Sequence, residues 1–306
     1  VVFLGTPAAA VPCLRALNQR ADIALVVTRG DRRRGRSAGK TPSEVKKSAM
    51  EMGLATACPE SRVQLEQALR SVAPFRMGLV VAYGMLLTRP MLDLAEMGFV
   101  NVHFSLLPRW RGAAPVAAAI RAGDPVTGVS LMKVTEGLDS GPVVAAASVA
   151  IGETDERGGL TDDLSGLGAD LLAENLGDLM AGRISGSPQR EEDATYAPRL
   201  TVEDGRLDFE RPVEELARQV RAMAPRPGAF ARWKQARMRI LRVRWSSSPP
   251  LSLRRGELAL ASGDLWCGGR DGGLILDGIQ PPGKRVMAGS AWANGVRGEL
   301  GSLSSG

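Results

Sequence analysis

The chain has 306 residues, of which 44% are hydrophobic and 24% charged, and a formal net charge of +6. That is enough to bury a sizeable core in two domains or one large one, with the composition of an ordinary soluble protein. No apolar run nears the roughly 20 residues of a membrane span and no leader is visible; an odd set of Cys13, Cys58 and Cys267 without a C-x-x-C pair excludes a disulfide frame or a zinc site and points to a reducing cytoplasm.

Charge is unevenly spread. Residues 1–199 carry 22 basic and 22 acidic side chains, whereas residues 200–306 carry 17 and 11. Residues 218–244 hold nine basic side chains and no acidic one, which fits either a solvated face or contact with a polyanion such as nucleic acid.

Residues 1–4 read as a first strand, followed by the turn Gly5-Thr6-Pro7 and a helix with Val11, Leu14 and Leu17 on one stripe. Strand, glycine turn and helix open an α/β fold, without the G-x-G-x-x-G of a dinucleotide site. A second strand is expected over residues 23–28. Between Arg29 and Lys40 six cations, including Arg32, Arg33, Arg34, Arg36 and Lys40, face one anion, and three glycines separate them. Such a segment buries too little to order itself and reads as a mobile loop, solvated or in contact with phosphates. Thr41-Pro42-Ser43-Glu44 has the form of a capping box with proline at the first helical position, so a helix is expected from there.

A helix over 61–72 and a strand over 77–82 lead into Tyr83-Gly84-Met85-Leu86-Leu87. Strand ends in a parallel sheet are where ligands bind, so this turn is a candidate pocket wall, with plain core as its alternative. A helix over 90–95 precedes a strand over 99–102, which runs into Asn101-Val102-His103-Phe104-Ser105-Leu106-Leu107-Pro108-Arg109-Trp110-Arg111-Gly112. His103 is the only histidine. Asn101 and His103, two apart on a strand, share a face. An amide donor beside a group that titrates near neutrality suits acyl transfer. Ser105 and Ser140 have no second histidine to activate them, which argues against a serine hydrolase.

The spacing predicts a helix from near Pro115 to residue 122, strands over 127–134 and 143–149, and a helix over 158–179 with Leu160, Leu164, Leu167, Leu171 and Leu172 on its apolar face. Between the two strands lies Thr135-Glu136-Gly137-Leu138-Asp139-Ser140-Gly141-Pro142, where Asp139 is a turn former unless the fold brings it beside His103. We expect an α/β domain over 1–183, a linker over 184–200 and a second domain over 201–306. In the last, a helix over 213–223 and short strands over 206–209, 228–233, 238–245, 257–261, 264–267 and 272–279 indicate a small β-barrel or sandwich. The tail, residues 301–306, reads as disordered.

The stretch from Asn101 to Pro115 resembles the 10-formyltetrahydrofolate-dependent formyltransferases, whose signature includes Asn-x-His-x-Ser-Leu-Leu-Pro. The likeness extends to Val2-Phe3-Leu4-Gly5-Thr6-Pro7, Glu136-Gly137-Leu138-Asp139-Ser140-Gly141, Ala194-Thr195-Tyr196-Ala197-Pro198 and Ile279-Gln280-Pro281-Pro282-Gly283-Lys284. Phe104, in place of a small residue, and the Arg32-Arg33-Arg34 run depart from the family pattern without removing a catalytic group.

The resemblance implies a Rossmann-like formyltransferase domain followed by a smaller OB-like barrel. It carries the catalytic roles onto Asn101, His103 and Asp139, and a folate pocket onto Ser105, Leu106, Leu107, Pro108, Gly84, Met85, Leu86 and Leu87. With the basic segments it implies a monomeric cytoplasmic enzyme, without a metal, that uses 10-formyltetrahydrofolate as formyl donor. The acceptor would be the α-amine of initiator methionyl-tRNA, held by Arg32, Arg33, Arg34, Arg36, Lys40, Arg232, Lys234, Arg237 and Arg239. A sugar-nucleotide amine is the rival acceptor, and an RNA-binding protein on an inactive scaffold the rival class.

Overall fold

A computed structural model describes residues 1–33 and 40–305. Two compact units emerge, the first made of Val1–Pro115, Val126–Ala150 and Thr161–Ala197, the second of Val116–Pro125, Ile151–Leu160 and the residues from Pro198 on.

The first unit is built on a sheet whose inner strands β1 and β2 are buried along their whole length. β1 (Val2–Gly5) leads through a tight turn into α1 (Val11–Asn18), where Leu14 and Leu17 are buried one turn apart. β2 (Leu25–Val27) is followed by the two-residue ladder of β3 (Arg32–Arg33) and β4 (Lys40–Thr41), then α2 (Glu44–Glu51), β5 (Thr56–Ala57) and α3 (Arg62–Arg70). β6 (Gly78–Val81), α4 (Arg89–Leu92) and β7 (Phe99–His103) come next, then the short β8 (Arg111–Gly112) and α5 (Pro115–Ala122), which from Val116 on belongs to the second unit before the chain returns to the first. The antiparallel pair β9 (Val126–Lys133) and β10 (Val143–Ala150), the long α6 (Arg157–Met180) and β11 (Tyr196–Ala197) complete it.

The main sheet has the order β10-β9-β7-β6-β1-β2-β5. Strands β7, β6, β1, β2 and β5 are parallel; β9 runs against β7, and β10 runs against β9. After β1 the chain moves outward to β2 and β5, then returns to β6 on the other side of β1. That reversal makes a topological switch point between β1 and β6, and the crevice beyond their carboxyl ends is where such sheets bind ligands. The Rossmann-like expectation is met.

Burial explains why these segments pair. Val2 and Leu4 join Leu25, Val27, Leu65, Leu69 and Phe99 in one apolar cluster, as alternation along a strand requires. On α6, a Cβ added at Gly168 would lie 2.9 Å from Val102 Cγ1, so only glycine lets this helix lie so close to β7. Leu160, Leu164, Leu171 and Leu172 on α6 are buried as the sequence pattern implied, and Leu167 is half-buried.

The second unit centres on α7 (Val213–Met223), whose Val213, Leu216, Ala217, Val220 and Met223 repeat at helical spacing and are all buried. Strands β12 (Ala229–Trp233), β13 (Ala236–Ser246), β14 (Leu258–Ala261), β15 (Asp264–Gly268) and β16 (Gly273–Gln280) follow. Then come β17 (Met287–Ala288), α8 (Gly289–Asn294) and β18 (Leu303–Ser304). All the pairings in this sheet are antiparallel, in the order β14-β15-β16-β13-β12-β18. The ends meet: Leu258 N–H donates to Gly301 O at 2.9 Å and Leu303 N–H to Gly256 O at 2.8 Å, which closes the sheet into a small barrel.

Several expectations need correction. The cap of α2 is Ser43, not Thr41: Ser43 Oγ accepts Lys46 N–H at 3.1 Å and bonds Thr28 Oγ1 at 2.8 Å, so Pro42 lies before the cap and not at the first helical position. Residues 206–209 are not a strand, since Arg206 makes one isolated bridge to Phe230. The tail is not without structure either, because Leu303 is buried and residues 303 and 304 pair with β12. α8 was not foreseen. Of the segment expected to be a mobile loop, Arg32, Arg33 and Lys40 have backbones in the β3–β4 ladder, and Arg34 and Arg36 lie outside the described residues.

Candidate active site

β7 places Asn101 and His103 on one face, in register with Met132 and Ser130 of β9. The chain after β9 leaves near the start of β7, where Val134 N–H donates to Phe99 O at 2.8 Å, and closes where Lys133 N–H donates to Pro142 O at 2.9 Å. Between those ends the loop doubles back along β7 and carries Asp139 to the strand's polar residues. Asp139 Oδ1 lies 3.5 Å from Asn101 Nδ2, and its Oδ2 lies 3.7 Å from His103 Nδ1. The same Oδ2 accepts Gly112 N–H at 2.8 Å. Thus the structure brings Asp139, distant in sequence, to Asn101 and His103, the other two residues assigned to catalysis.

His103 is 6% exposed, and its Nε2 lies 2.9 Å from the carbonyl oxygen of Trp110. A carbonyl can only accept, so in the neutral ring the proton sits on Nε2 and the lone pair on Nδ1 points toward Asp139. Trp110 holds its carbonyl there in a left-handed conformation, φ 62°, and its N–H donates to Thr195 Oγ1 at 2.9 Å. Arg111 is 2% exposed and bonds Glu191 through Nη1 at 2.7 and 2.9 Å and Gln189 Oε1 through Nε at 3.1 Å. Burial works against its charge, yet bonding to Glu191 and Tyr196 outweighs this and holds the guanidinium above its ordinary value. Pairing of β8 with β11 places Arg111 and Gly112 beside Tyr196 and Ala197. The segment 184–200, expected to be a linker, is therefore bonded into the site as far as Ala197.

The residues expected to hold folate divide. Ser105 is fully buried and donates its hydroxyl to Arg109 O at 2.6 Å, so it braces the turn. Leu87 lies in the core cluster and Met85 packs against it. Both help to cover the apolar surface of the sheet, Leu87 buried and Met85 half-buried. Leu86 is 58% exposed, Gly84 has φ 80°, and Leu106, Leu107 and Pro108 are half-buried. Beyond the ends of β1 and β6, the hydroxyls of Thr6 and Tyr83 are buried and have no hydrogen-bond partner among the described residues. Burial pushes the Tyr83 phenol well above its ordinary value.

In the second unit, the β12–β13 hairpin carries the other basic residues assigned to nucleic acid. Arg232 faces Arg237, and Phe230 faces Arg239, across the ladder, so all four lie on one side of it. Arg232, Lys234 and Arg237 are exposed and Arg239 is half-buried against Gln280 Oε1 at 3.0 Å. The guanidinium of Arg237 sits 3.7 Å above the Phe230 ring and the Lys234 ammonium 4.6 Å above Trp233. The basic run is narrower than its sequence suggests, because Arg218 pairs with Glu214, and Arg244 with Asp264 and Asp277.

Gln189, Thr195 and the Trp110 carbonyl were not singled out from the sequence. Gln189 sits in a stretch rich in glycine, serine and charge, and a backbone carbonyl has no residue-type signal. Only Arg111, a charge between Trp110 and Gly112, could have hinted at a buried partner.

The chain is similar to known proteins along nearly its whole length. Residues 1–176 match the formyl transferase family and residues 199–297 match the formyl transferase C-terminal domain. A methionyl-tRNA formyltransferase from Halorhodospira halophila is 41% identical over 97% of this chain and 96% of its own. One from Streptomyces griseus is 40% identical over 99% and 98%. Among solved structures, an N-formyltransferase from Helicobacter canadensis, in complex with folinic acid and dTDP-3-aminofucose, aligns with a TM-score of 0.67 at 15% identity, covering 90% of this chain and 97% of that one. A sugar N-formyltransferase from a Shewanella species aligns with a TM-score of 0.60 at 15% identity, over 78% and 95%. At that identity the two structures speak for the fold alone.

Proposed function

The chain belongs to the formyl transferase family, and from that membership we propose that Asn101, His103 and Asp139 form its transfer centre. The reaction is transfer of a formyl group from 10-formyltetrahydrofolate to the α-amine of methionine esterified to tRNA, the activity of relatives about 40% identical along nearly the whole chain. The convergence of Asn101, His103 and Asp139 on one side of β7 carries the reading.

The donor supplies an electrophilic formyl carbon, and the amine itself is the nucleophile, so no side chain forms a covalent bond. An α-amino group titrates near neutrality, and a weak base is enough to take its proton. His103 Nδ1 is the nitrogen available for this, since Nε2 is committed to Trp110 O. A proton on Nδ1 creates an imidazolium facing the Asp139 carboxylate. As the amine adds, negative charge develops on the formyl oxygen, and the Asn101 amide is the donor placed to meet it. The new bond to the amine nitrogen replaces the bond to N10, and the proton returns from His103 to N10.

The switch-point crevice fits a folate. Thr6 and Tyr83 bring two buried hydroxyls that need partners, which a polar heterocycle provides, and exposed Leu86 offers apolar surface to its ring system. Leu106, Leu107, Pro108 and Gly84 extend this wall. For the tRNA, the β12–β13 hairpin sets exposed cations beside aromatic rings, a combination suited to phosphate and base. By its sequence, the basic segment with Arg32, Arg33, Arg34, Arg36 and Lys40 suits phosphate as well. We take the acceptor to be initiator methionyl-tRNA, and the enzyme to work as a monomer in the cytoplasm. No helix among the described residues is long and apolar enough to cross a membrane.

A formylation assay with 10-formyltetrahydrofolate tests the reading, run in parallel with charged methionyl-tRNA and with a sugar-nucleotide amine. We expect the tRNA to be formylated. Formylation of the sugar amine alone would overturn the acceptor while leaving the chemistry standing.

A further inference from the structure

Asp139 is held in place by something other than its own sequence. Its φ is 47°, a left-handed conformation that side chains adopt at a cost, so outside support helps the loop to keep it. At Gly141 the loop passes so close to β9 that an added Cβ would lie 1.8 Å from Lys133 O, which pins one end. The catalytic end is tied from residue 189. Gln189 Nε2 donates to Asp139 O at 2.8 Å and to Gly141 O at 2.7 Å. Its Oε1 accepts from Arg111 Nε at 3.1 Å, and Arg111 is itself buried and doubly bonded to Glu191.

Every atom of that amide is used in a fixed sense. Two carbonyls demand the NH2 group and a guanidinium demands the oxygen, so the amide cannot be flipped and no other side chain type satisfies all three partners. Leucine loses both donors. Glutamate keeps the acceptor for Arg111 but turns a carboxylate toward two carbonyl oxygens. The same stretch of chain also holds the loop that fixes His103, because Thr195 Oγ1 accepts the Trp110 N–H whose carbonyl bonds His103 Nε2.

We infer that Gln189 is a positioning residue of the transfer centre, acting on Asp139 through the backbone of its loop. This rests on the reading of Asp139 as part of that centre. A carboxylate displaced by about 1 Å from its working position costs on the order of 10²-fold in rate, and loss of a supporting hydrogen-bond partner typically costs about 10- to 100-fold.

The test measures turnover on methionyl-tRNA for Gln189→Leu, Gln189→Glu, Asp139→Asn and the double variant Gln189→Leu/Asp139→Asn, together with tRNA affinity and thermal midpoint. Both Gln189 variants should lose roughly 10- to 100-fold in kcat with tRNA affinity unchanged. In the Asp139→Asn background, Gln189→Leu should cost little more, because residues that act through one another are not additive. Additive losses would overturn the inference, as would Gln189→Glu at parental turnover, which would mean that Gln189 serves Arg111 only. Glutamate is nearly isosteric, so this arm stands even if Gln189→Leu fails to fold. Parental turnover of Asp139→Asn alone would instead sink the reading of the site.

Discussion

Replacing Asp139 by asparagine removes one charge and almost nothing else. Asparagine is nearly isosteric, tolerates the left-handed φ of 47° better than most residues, and keeps an oxygen for Gly112 N–H. What disappears is the carboxylate 3.7 Å from His103 Nδ1, where the proposed step creates an imidazolium; His103 is 6% and Asp139 18% exposed. At an effective dielectric of about 20, two unit charges at that separation interact by roughly 4 kcal/mol. At about 1.4 kcal/mol per tenfold this is on the order of 10³ in rate, and partial solvent exposure of the carboxylate trims it toward 10². Single-turnover formylation of charged tRNA, with enzyme in excess, isolates this step from product release. We expect Asp139→Asn to fall by about 10²–10³-fold with tRNA affinity intact. A loss of less than about tenfold would refute the idea that the carboxylate stabilises charge on His103.

Other consequences concern the donor amide, the tRNA surface, the barrel and the buried thiols. Asn101→Ala should lower kcat by about 10²–10³-fold, as loss of one donor to a developing oxyanion does; steady-state kinetics with near-normal turnover would remove Asn101 from the centre. Changing Arg232, Lys234 and Arg237 to glutamine should weaken tRNA binding and lower the slope of log affinity against log salt by about one unit per lost phosphate contact. An unchanged slope in filter binding would take the hairpin out of the interface. Leu303→Ala should cost roughly 2–4 kcal/mol in urea unfolding, since Leu303 is 3% exposed and its N–H helps close the barrel. A stability equal to the parent's would mean that the last strand contributes nothing. Burial pushes the Cys13 thiol from 9.0 up to about 12. The folded thiol keeps its proton where the unfolded one loses it, so this stability is full below pH 9 and drains away as pH rises toward 12. Thermal midpoints of the parent and Cys13→Ala should converge over that window, and parallel curves would contradict the assignment.

Much of the molecule is written locally. Helix α7 was legible over residues 213–223 because its buried residues recur at a period of 3.6 and the flanking prolines do not continue it. β7 was legible from its apolar residues, and Asn101 and His103 shared a face by alternation alone. Distant contacts decided the rest. Ser43 and not Thr41 caps α2, and Thr28, the residue after β2, has its hydroxyl there to bond it. The tail is ordered because one leucine finds a barrel to close, a fact invisible in Gly-Ser-Leu-Ser-Ser-Gly.

In the site the division is sharper. By itself the sequence determined which groups are present: the amide, the lone imidazole, the carboxylate and the glycines that let its loop turn. It could not say that Asp139 doubles back along β7, that the Trp110 carbonyl selects the tautomer of His103, or that Gln189 pins the loop from a stretch that looked like a linker. Residue type and spacing encode what a side chain can do over a few positions. Backbone carbonyls and N–H groups carry no such label, and pairing across 50 residues, as between Gln189 and Asp139, exists only once the sheet has brought the chain together.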